Sequence, residues 1–99
     1  MRTYRFILTG LGNIGANFLD ILLTNGDLLA TRHGIALRAV GLADSSGALH
    51  DPGGFDLAAI VALKRGGGRL AALAGPGRPL LTTGELVATA GADFLLEAT

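Results

Sequence analysis

The feature that most constrains the fold is a glycine-rich turn between a short apolar run and a stretch with helical periodicity. Residues 4–9 are apolar and β-favouring. The hexad after them reads Gly10-Leu11-Gly12-Asn13-Ile14-Gly15, which is G-x-G-x-x-G. Apolar side chains then recur on one side of a predicted helix, at Ile14, Phe18, Ile21 and Leu22. The order strand, glycines, helix gives the motif meaning, because a chain with 16 glycines shows such spacings by chance.

Each glycine of the hexad meets a different physical demand. Gly10 lets the chain reverse out of the strand, and Gly12 leaves no Cβ where a pyrophosphate would approach the backbone. Gly15 lets the helix pack close to the strand. Because the N–H groups of the first helical turn have no partner within the helix, they can face phosphates with the positive end of the helix dipole behind them. The pattern predicts dinucleotide binding, and a purely structural glycine turn is the alternative.

Composition limits the other classes of function. Ninety-nine residues form one small domain, and 49% hydrophobic residues predict apolar surface that the chain alone does not cover. Eight basic and eight acidic residues are scattered and cancel, so we expect no nucleic-acid partner. Without cysteine there is neither a disulfide nor a thiolate metal site, and no metal is predicted. No apolar window reaches membrane-spanning length, so we expect no membrane partner and a cytoplasmic location.

The first helix is predicted to run from Ile14 to His33, bent or briefly broken at Gly26, where Asp27 can cap a second piece. Gly34 ends it. Residues 35–43 are mostly apolar, as in a parallel strand covered on both faces, and end at Asp44. An acid at this place in a dinucleotide-binding fold accepts hydrogen bonds from the adenosine ribose. Asp44 can also simply open the turn at residues 44–47, and the two roles are compatible.

The second half of the chain alternates loops and short elements. Residues 48–54 are predicted as loop, and a helix follows from its N-cap Asp56 to Arg65. Residues 70–73 add a helical turn, and residues 78–81 are at most a short extended piece. Thr82 and Glu85 have capping-box spacing before a helix through Ala90. Residues 93–99 are predicted as a buried strand.

This alternation predicts an α/β domain over residues 1–99. We expect a Rossmann-type parallel sheet with flanking helices, with three firm strands and one doubtful strand. That is the first half of a doubly wound dinucleotide-binding domain.

Three segments together resemble the amino-terminal cofactor domain of homoserine dehydrogenase. They are the glycine turn (residues 8–15), the strand end Ala43-Asp44-Ser45-Ser46-Gly47 with the residues before it, and the terminal Glu97-Ala98-Thr99 with its strand. The loop and helix at residues 55–68 are also similar to the family. The likeness covers nearly the whole chain, and the Ala-Asp-Ser-Ser-Gly and Glu-Ala-Thr segments are its most specific parts.

The resemblance implies a role for several residues. Leu11, Asn13 and Ile14 would line the pyrophosphate turn, and Asp44 with Ser45 would lie by the adenosine ribose. Lys64 would lie near a 2′-phosphate, and the Ala98-Thr99 segment would begin the loop under the nicotinamide. The reaction implied is reversible, NAD(P)-dependent hydride transfer between aspartate β-semialdehyde and homoserine, within the biosynthesis of threonine, methionine and isoleucine.

The resemblance assigns the catalytic lysine and the substrate-binding carboxylates to a later domain without a counterpart in these residues. We therefore expect an incomplete family member without catalytic residues of its own, and a homo-oligomer in the full-length protein. NAD is the expected cofactor rather than NADP, because the charge of Asp44 would repel a 2′-phosphate. Lys64 and Arg65 are the counterweight, since over the ribose they would offset this repulsion and leave dual specificity. The alternatives are the cofactor domain of another NAD(P)-dependent oxidoreductase and a non-enzymatic nucleotide-sensing module.

Overall fold

A four-stranded sheet forms the centre of the domain in a computed structural model that describes residues 2–98. The strands are β1 (Arg2–Thr9), β2 (Ile35–Asp44), β3 (Gly47–His50) and β4 (Phe94–Glu97). Their order across the sheet is β3-β2-β1-β4. β1 pairs in parallel with both β2 and β4, whereas β3 pairs antiparallel with β2. β1, which leads into the glycine turn, is therefore an interior strand with a parallel neighbour on each side.

Helices connect the strands, and their ends follow from local sequence chemistry. They are α1 (Asn13–His33), α2 (Leu57–Arg65), a 3₁₀ turn (Leu70–Leu73) and α3 (Thr83–Thr89). The Asp56 carboxylate accepts hydrogen bonds from two amides in the first turn of α2. Thr82 and Glu85 form the predicted capping box at α3. Gly34 ends α1 in the left-handed conformation, with φ 62°.

The sheet has a core on each face. On one face, strand residues such as Phe6, Leu8 and Leu42 pack with Leu19 of α1 and Ile60 of α2. The opposite core is smaller and is made of Ile7, Ala43, Ala48 and Leu86. Leu86 is the residue that α3 contributes to this second core. The α/β layering with helices on both faces confirms the predicted Rossmann-type fold.

Several predictions of local structure were wrong. Residues 47–50 form β3 instead of loop, so the sheet is mixed rather than wholly parallel. α1 continues through Gly26 without a break. A single helical glycine costs only about 1 kcal/mol relative to alanine. This cost is too small to interrupt a 21-residue helix whose first turns are anchored by the buried Gly15, Ala16 and Leu19.

The exposed side chains also differ from expectation. α1 buries Gly15, Ala16 and Leu19, whereas Ile14 and Ile21 are 67% and 59% exposed. Small residues lie inward because this part of the helix approaches the strands closely. β4 is an edge strand with Phe94 and Leu95 exposed, and not the buried strand predicted. None of the helices within residues 2–98 combines the length and apolar character needed to cross a membrane.

Candidate functional site

A cavity of about 440 Å³ opens where β1 and β2 end. Its lining consists of Gly10, Leu11, Gly12, Ala43, Asp44, Ser45 and Thr83. The Leu11 N–H donates to the Ala43 carbonyl at 2.8 Å, which fixes the glycine turn against the end of β2. The carboxyl ends of parallel strands, where neighbouring connections diverge, are the usual ligand sites of open α/β sheets. Here α1 leads from β1 to β2, and the later chain returns to β4 on the other side of β1.

The three motif glycines differ in their surroundings as the sequence predicts. Gly10 has φ 68°, in the region that favours glycine. A Cβ on Gly15 would lie 3.0 Å from Leu11 Cδ1 and 3.6 Å from Ala98 Cβ, so this glycine permits close packing of α1. A Cβ on Gly12 would meet nothing within 4 Å. The protein's own packing therefore gives no reason for glycine at position 12, and the open space suits a group that approaches from outside.

The N-terminus of α1 is open to that space. Among the described residues no side chain caps it, whereas α2 and α3 are capped by Asp56 and Thr82. The first turn of α1 contains no acidic residue, and its last turn carries Arg32 and His33. The amides of Asn13 and Ile14 and the dipole of a 21-residue helix are thus available to an anion.

A second, apolar cavity of about 210 Å³ lies on the other side of this helix start. It is lined by Leu8, Ile14, Phe18, Leu96, Glu97 and Ala98. The Ala98 N–H donates to the Thr9 carbonyl at 2.9 Å and continues the β1–β4 pairing past the strand. Thr99, predicted under the nicotinamide, lies outside the described residues. The two cavities and the glycine turn therefore lie at the same end of the sheet.

Asp44, predicted at the adenosine ribose, and Lys64, predicted near a 2′-phosphate, contact each other. Lys64 Nζ lies 2.9 Å from Asp44 Oδ2, and the two side chains are 13% and 3% exposed. Burial alone would raise the pKa of the Asp44 carboxyl, but hydrogen bonds from Ser46, Leu70 and Lys64 outweigh burial and lower the pKa to about 2. The predicted turn is also present, because the Ser46 N–H donates to Asp44 Oδ1 at 2.8 Å.

The structure brings most of the predicted residues to one edge of the sheet. Gly10, Leu11, Gly12, Asp44 and Ser45 share the larger cavity. Ile14 and Ala98 share the smaller one. Sequence reasoning missed Thr83, which lines the larger cavity beside the glycines. Its neighbour Thr82 has a recognisable capping signal, but no local pattern indicates that α3 begins next to the glycine turn.

Comparison with known proteins places the chain in a family. Residues 1–98 match the sequence family described as glutamate/leucine/phenylalanine/valine dehydrogenase. The chain belongs to this dehydrogenase family. No curated protein gives a significant sequence match.

Solved structures with a similar fold are homoserine dehydrogenases. The enzyme from Thermoplasma acidophilum is 26% identical with a TM-score of 0.72, over 99% of this chain. A hyperthermophilic archaeal homoserine dehydrogenase in complex with NADPH is 19% identical with a TM-score of 0.78, again over 99% of this chain. A mutant of a hyperthermophilic archaeal homoserine dehydrogenase in complex with NADPH is 18% identical with a TM-score of 0.77, over 97% of this chain. The chain spans 27–29% of the length of these proteins.

Proposed function

We propose that this chain is the NAD(P)-binding domain of a dehydrogenase that acts on an amino acid, most specifically homoserine dehydrogenase. The observation that carries the proposal is the uncapped start of α1 beside Gly12, whose missing side chain leaves open space. The family and the similar structures, two of them in complex with NADPH, support the same reading. The substrate would be homoserine or aspartate β-semialdehyde. The residues that bind and convert it would belong to another domain.

We infer which part of the cofactor each part of the site would hold. The pyrophosphate would rest on the amides of Asn13 and Ile14, with Gly12 as the closest backbone. The adenosine would occupy the cavity beside Asp44 and Ser45. The nicotinamide would lie toward Ala98, where the apolar cavity would exclude water from its face. When bound, the nicotinamide supplies the hydride acceptor for oxidation of the substrate alcohol.

The cofactor is NAD or NADP. The preference for NAD predicted from the sequence would require a negative charge at Asp44 that faces the ribose, and it stays a prediction. A cytoplasmic location and a homo-oligomeric full-length protein are further parts of the proposal. The location rests on composition and the absence of a membrane-length apolar window in the sequence, and the oligomer rests on the resemblance to homoserine dehydrogenase.

A second candidate is a dehydrogenase for one of the other amino acids in the family description, glutamate, leucine, phenylalanine or valine. The match over residues 1–98 favours it. Spectrophotometric assay of the protein in which this domain is joined to a substrate domain separates the candidates. Homoserine-dependent reduction of NAD or NADP supports the first, and reduction with one of the four other amino acids supports the second. Nucleotide binding without turnover of any of them favours the sensing module.

Binding itself is tested on the chain alone with Gly12→Val. The new methyl groups would enter the space proposed for phosphate oxygens, while no protein atom lies within 4 Å to oppose folding. We expect calorimetric titration with NADH or NADPH to show an affinity loss of about 100-fold or more, equivalent to about 3 kcal/mol. Gly26→Val is the matched control, since Gly26 also faces open space but lies mid-helix, away from the cavities. If folded Gly12→Val binds the dinucleotide as tightly as wild type, the pyrophosphate does not bind beside Gly12.

A further inference from the structure

The Asp44 carboxylate is fully engaged by donors from the protein itself. The Ser46 N–H and hydroxyl donate to Oδ1 at 2.8 and 2.6 Å. Lys64 Nζ and the Leu70 N–H donate to Oδ2 at 2.9 Å each. A carboxylate has about four lone-pair positions, so these four donors fill its capacity. The side chain is only 3% exposed. What Asp44 presents to the cavity is therefore its backbone.

These bonds join three separate parts of the chain. Lys64 belongs to the last turn of α2 and also donates to the Gly68 carbonyl at 3.1 Å. Leu70 begins the 3₁₀ turn, and the next amide, from Ala71, donates to Ser46 Oγ at 3.0 Å. Asp44 and Ser46 thus cap the 3₁₀ turn from the β2–β3 turn, and they lie 26 and 25 residues before the amides that they accept from.

The charge at this corner of the cavity is balanced. Asp44 is ionised at neutral pH, and the Lys64 ammonium neutralises it at contact distance. A 2′-phosphate at the ribose would therefore meet an ion pair and the exposed Ser45, rather than a free carboxylate. The repulsion that would make an adenosine pocket selective for NAD is largely cancelled.

We propose that Asp44 is a positioning residue and not a ribose ligand, and that the pocket consequently accepts NADP at least as well as NAD. The carboxylate holds the β2–β3 turn against α2 and the 3₁₀ turn, which sets the shape of the adenosine side of the cavity. Selectivity is left to residues that do face the cavity, with Ser45 foremost. This inference rests on the proposed function of the same site.

The experiment compares dissociation constants for NADH and NADPH in four proteins. In the wild type, NADPH should bind within about threefold of NADH or more tightly. The double variant Asp44→Asn with Lys64→Met removes both charges together, so the ratio of the two constants should stay within about threefold of wild type. Single Lys64→Met leaves the carboxylate unbalanced, and NADPH should weaken relative to NADH by about five- to thirtyfold.

Ser45→Asp is the positive control, because it adds a carboxylate at a position exposed to the cavity. NADPH should again weaken relative to NADH, by about five- to thirtyfold. If Lys64→Met changes both affinities together and leaves their ratio at the wild-type value, the charge balance between Asp44 and Lys64 does not govern selectivity, and the proposal is overturned.

A strong preference of the wild type for NADH would also overturn the proposal. Wild-type binding of NADH more than about tenfold tighter than NADPH would show an effective negative charge at the ribose. A double variant that loses this preference would identify Asp44 as the source. Binding of neither dinucleotide to the wild type would instead reject the proposed function of the whole site, so the two failures are distinguishable.

Discussion

Gly41 of β2 allows α3 to lie directly on the sheet. A Cβ at this position would come within 2.8 Å of Leu86 Cδ1 and 3.1 Å of Ile7 Cγ1. Both neighbours are buried, and Leu86 is fully enclosed. The core on this face is small, so it has few other contacts with which to absorb a displacement.

We expect Gly41→Ala to destabilise the domain by about 1–3 kcal/mol through overpacking against Leu86. Thermal unfolding should show a lower midpoint, by about 4–8 °C for each kcal/mol in a domain of this size. Gly26→Ala is the matched control, because its Cβ enters open space on α1 and should stabilise the helix. A midpoint for Gly41→Ala equal to wild type would mean that α3 shifts outward without cost.

Asp44 makes the free energy of unfolding depend on pH in the acidic range. Its folded pKa of about 2 lies below the unfolded value of 3.8, so the ionised form stabilises the fold. This contribution is complete above about pH 4 and is lost as the pH falls toward 2. It amounts to about 2 kcal/mol, given 1.36 kcal/mol for each pKa unit.

Urea unfolding between pH 6 and pH 2.5 tests this dependence in Asp44→Asn. The variant should be less stable at pH 6, and its deficit relative to wild type should shrink as the pH falls, because wild type loses the contribution that the variant already lacks. Asp27→Asn, which changes an exposed carboxylate on α1, is the control and should follow wild type. A deficit independent of pH would show that the charge of Asp44 is not what stabilises the fold.

At the scale of elements, α3 depends on its capping box. Thr82 Oγ1 accepts from the Glu85 N–H at 3.1 Å, and Glu85 Oε1 accepts from the Thr82 N–H at 2.9 Å. The helix has seven residues, too few to be stable alone, and its buried contact with the sheet is Leu86.

Thr82→Ala should therefore cost about 1 kcal/mol of unfolding free energy, the usual loss for a threonine N-cap. Chemical denaturation gives this value directly. Thr83→Ala changes the neighbouring threonine, which is the first helical residue and not the cap, and should cost less than about 0.5 kcal/mol. Equal losses in the two variants would contradict a specific role for the cap.

The elements that the sequence predicted have strong local signals. β1, the glycine turn and α1 follow from periodicity and glycine spacing, and α2 and α3 begin at recognisable caps. β3 has no such signal. Gly47-Ala48-Leu49-His50 contains glycine and alanine, which are uncommon in strands, and it becomes a strand by pairing with β2 across a tight turn.

The candidate site shows the same division. The turn conformation of Gly10 and the close packing at Gly15 could be predicted from the glycine spacing, because the motif occurs between a strand and a helix. The role of Gly12 beside a pyrophosphate stays a prediction. Periodicity placed Ile14 and Ile21 on one side of α1 but could not tell which side the sheet covers. The contacts of Asp44 with Lys64 and Leu70 could not be predicted from the sequence. These residues lie 20 and 26 positions away and are brought near Asp44 only by tertiary folding.

At the scale of the whole molecule, the domain leaves apolar surface uncovered. Ile14, Ile21 and Leu28 are exposed along α1, and Phe94 and Leu95 are exposed on the edge strand β4. An apolar edge strand is a template for pairing with another chain.

We expect the purified chain to self-associate through β4, and Leu95→Lys to reduce the association, because a lysine on an edge strand opposes pairing. Size exclusion with light scattering over a range of concentrations measures the effect. Leu23→Lys is the control, since Leu23 is 47% exposed but lies on α1. A wild-type chain that stays monomeric at every concentration would make this prediction wrong.

β1 and β4 are neighbours although they are far apart in sequence. The Arg5 N–H and the Asp93 carboxylate, which join their starts, are 88 positions apart. During synthesis β1, α1 and β2 can assemble early, but one side of β1 lacks its partner until β4 has been translated. At about 5–20 residues per second, the wait after β2 lasts roughly three to ten seconds. In that interval β1 is itself an unpaired edge strand of the nascent domain. A strand of a second nascent chain nearby can pair with it in place of β4.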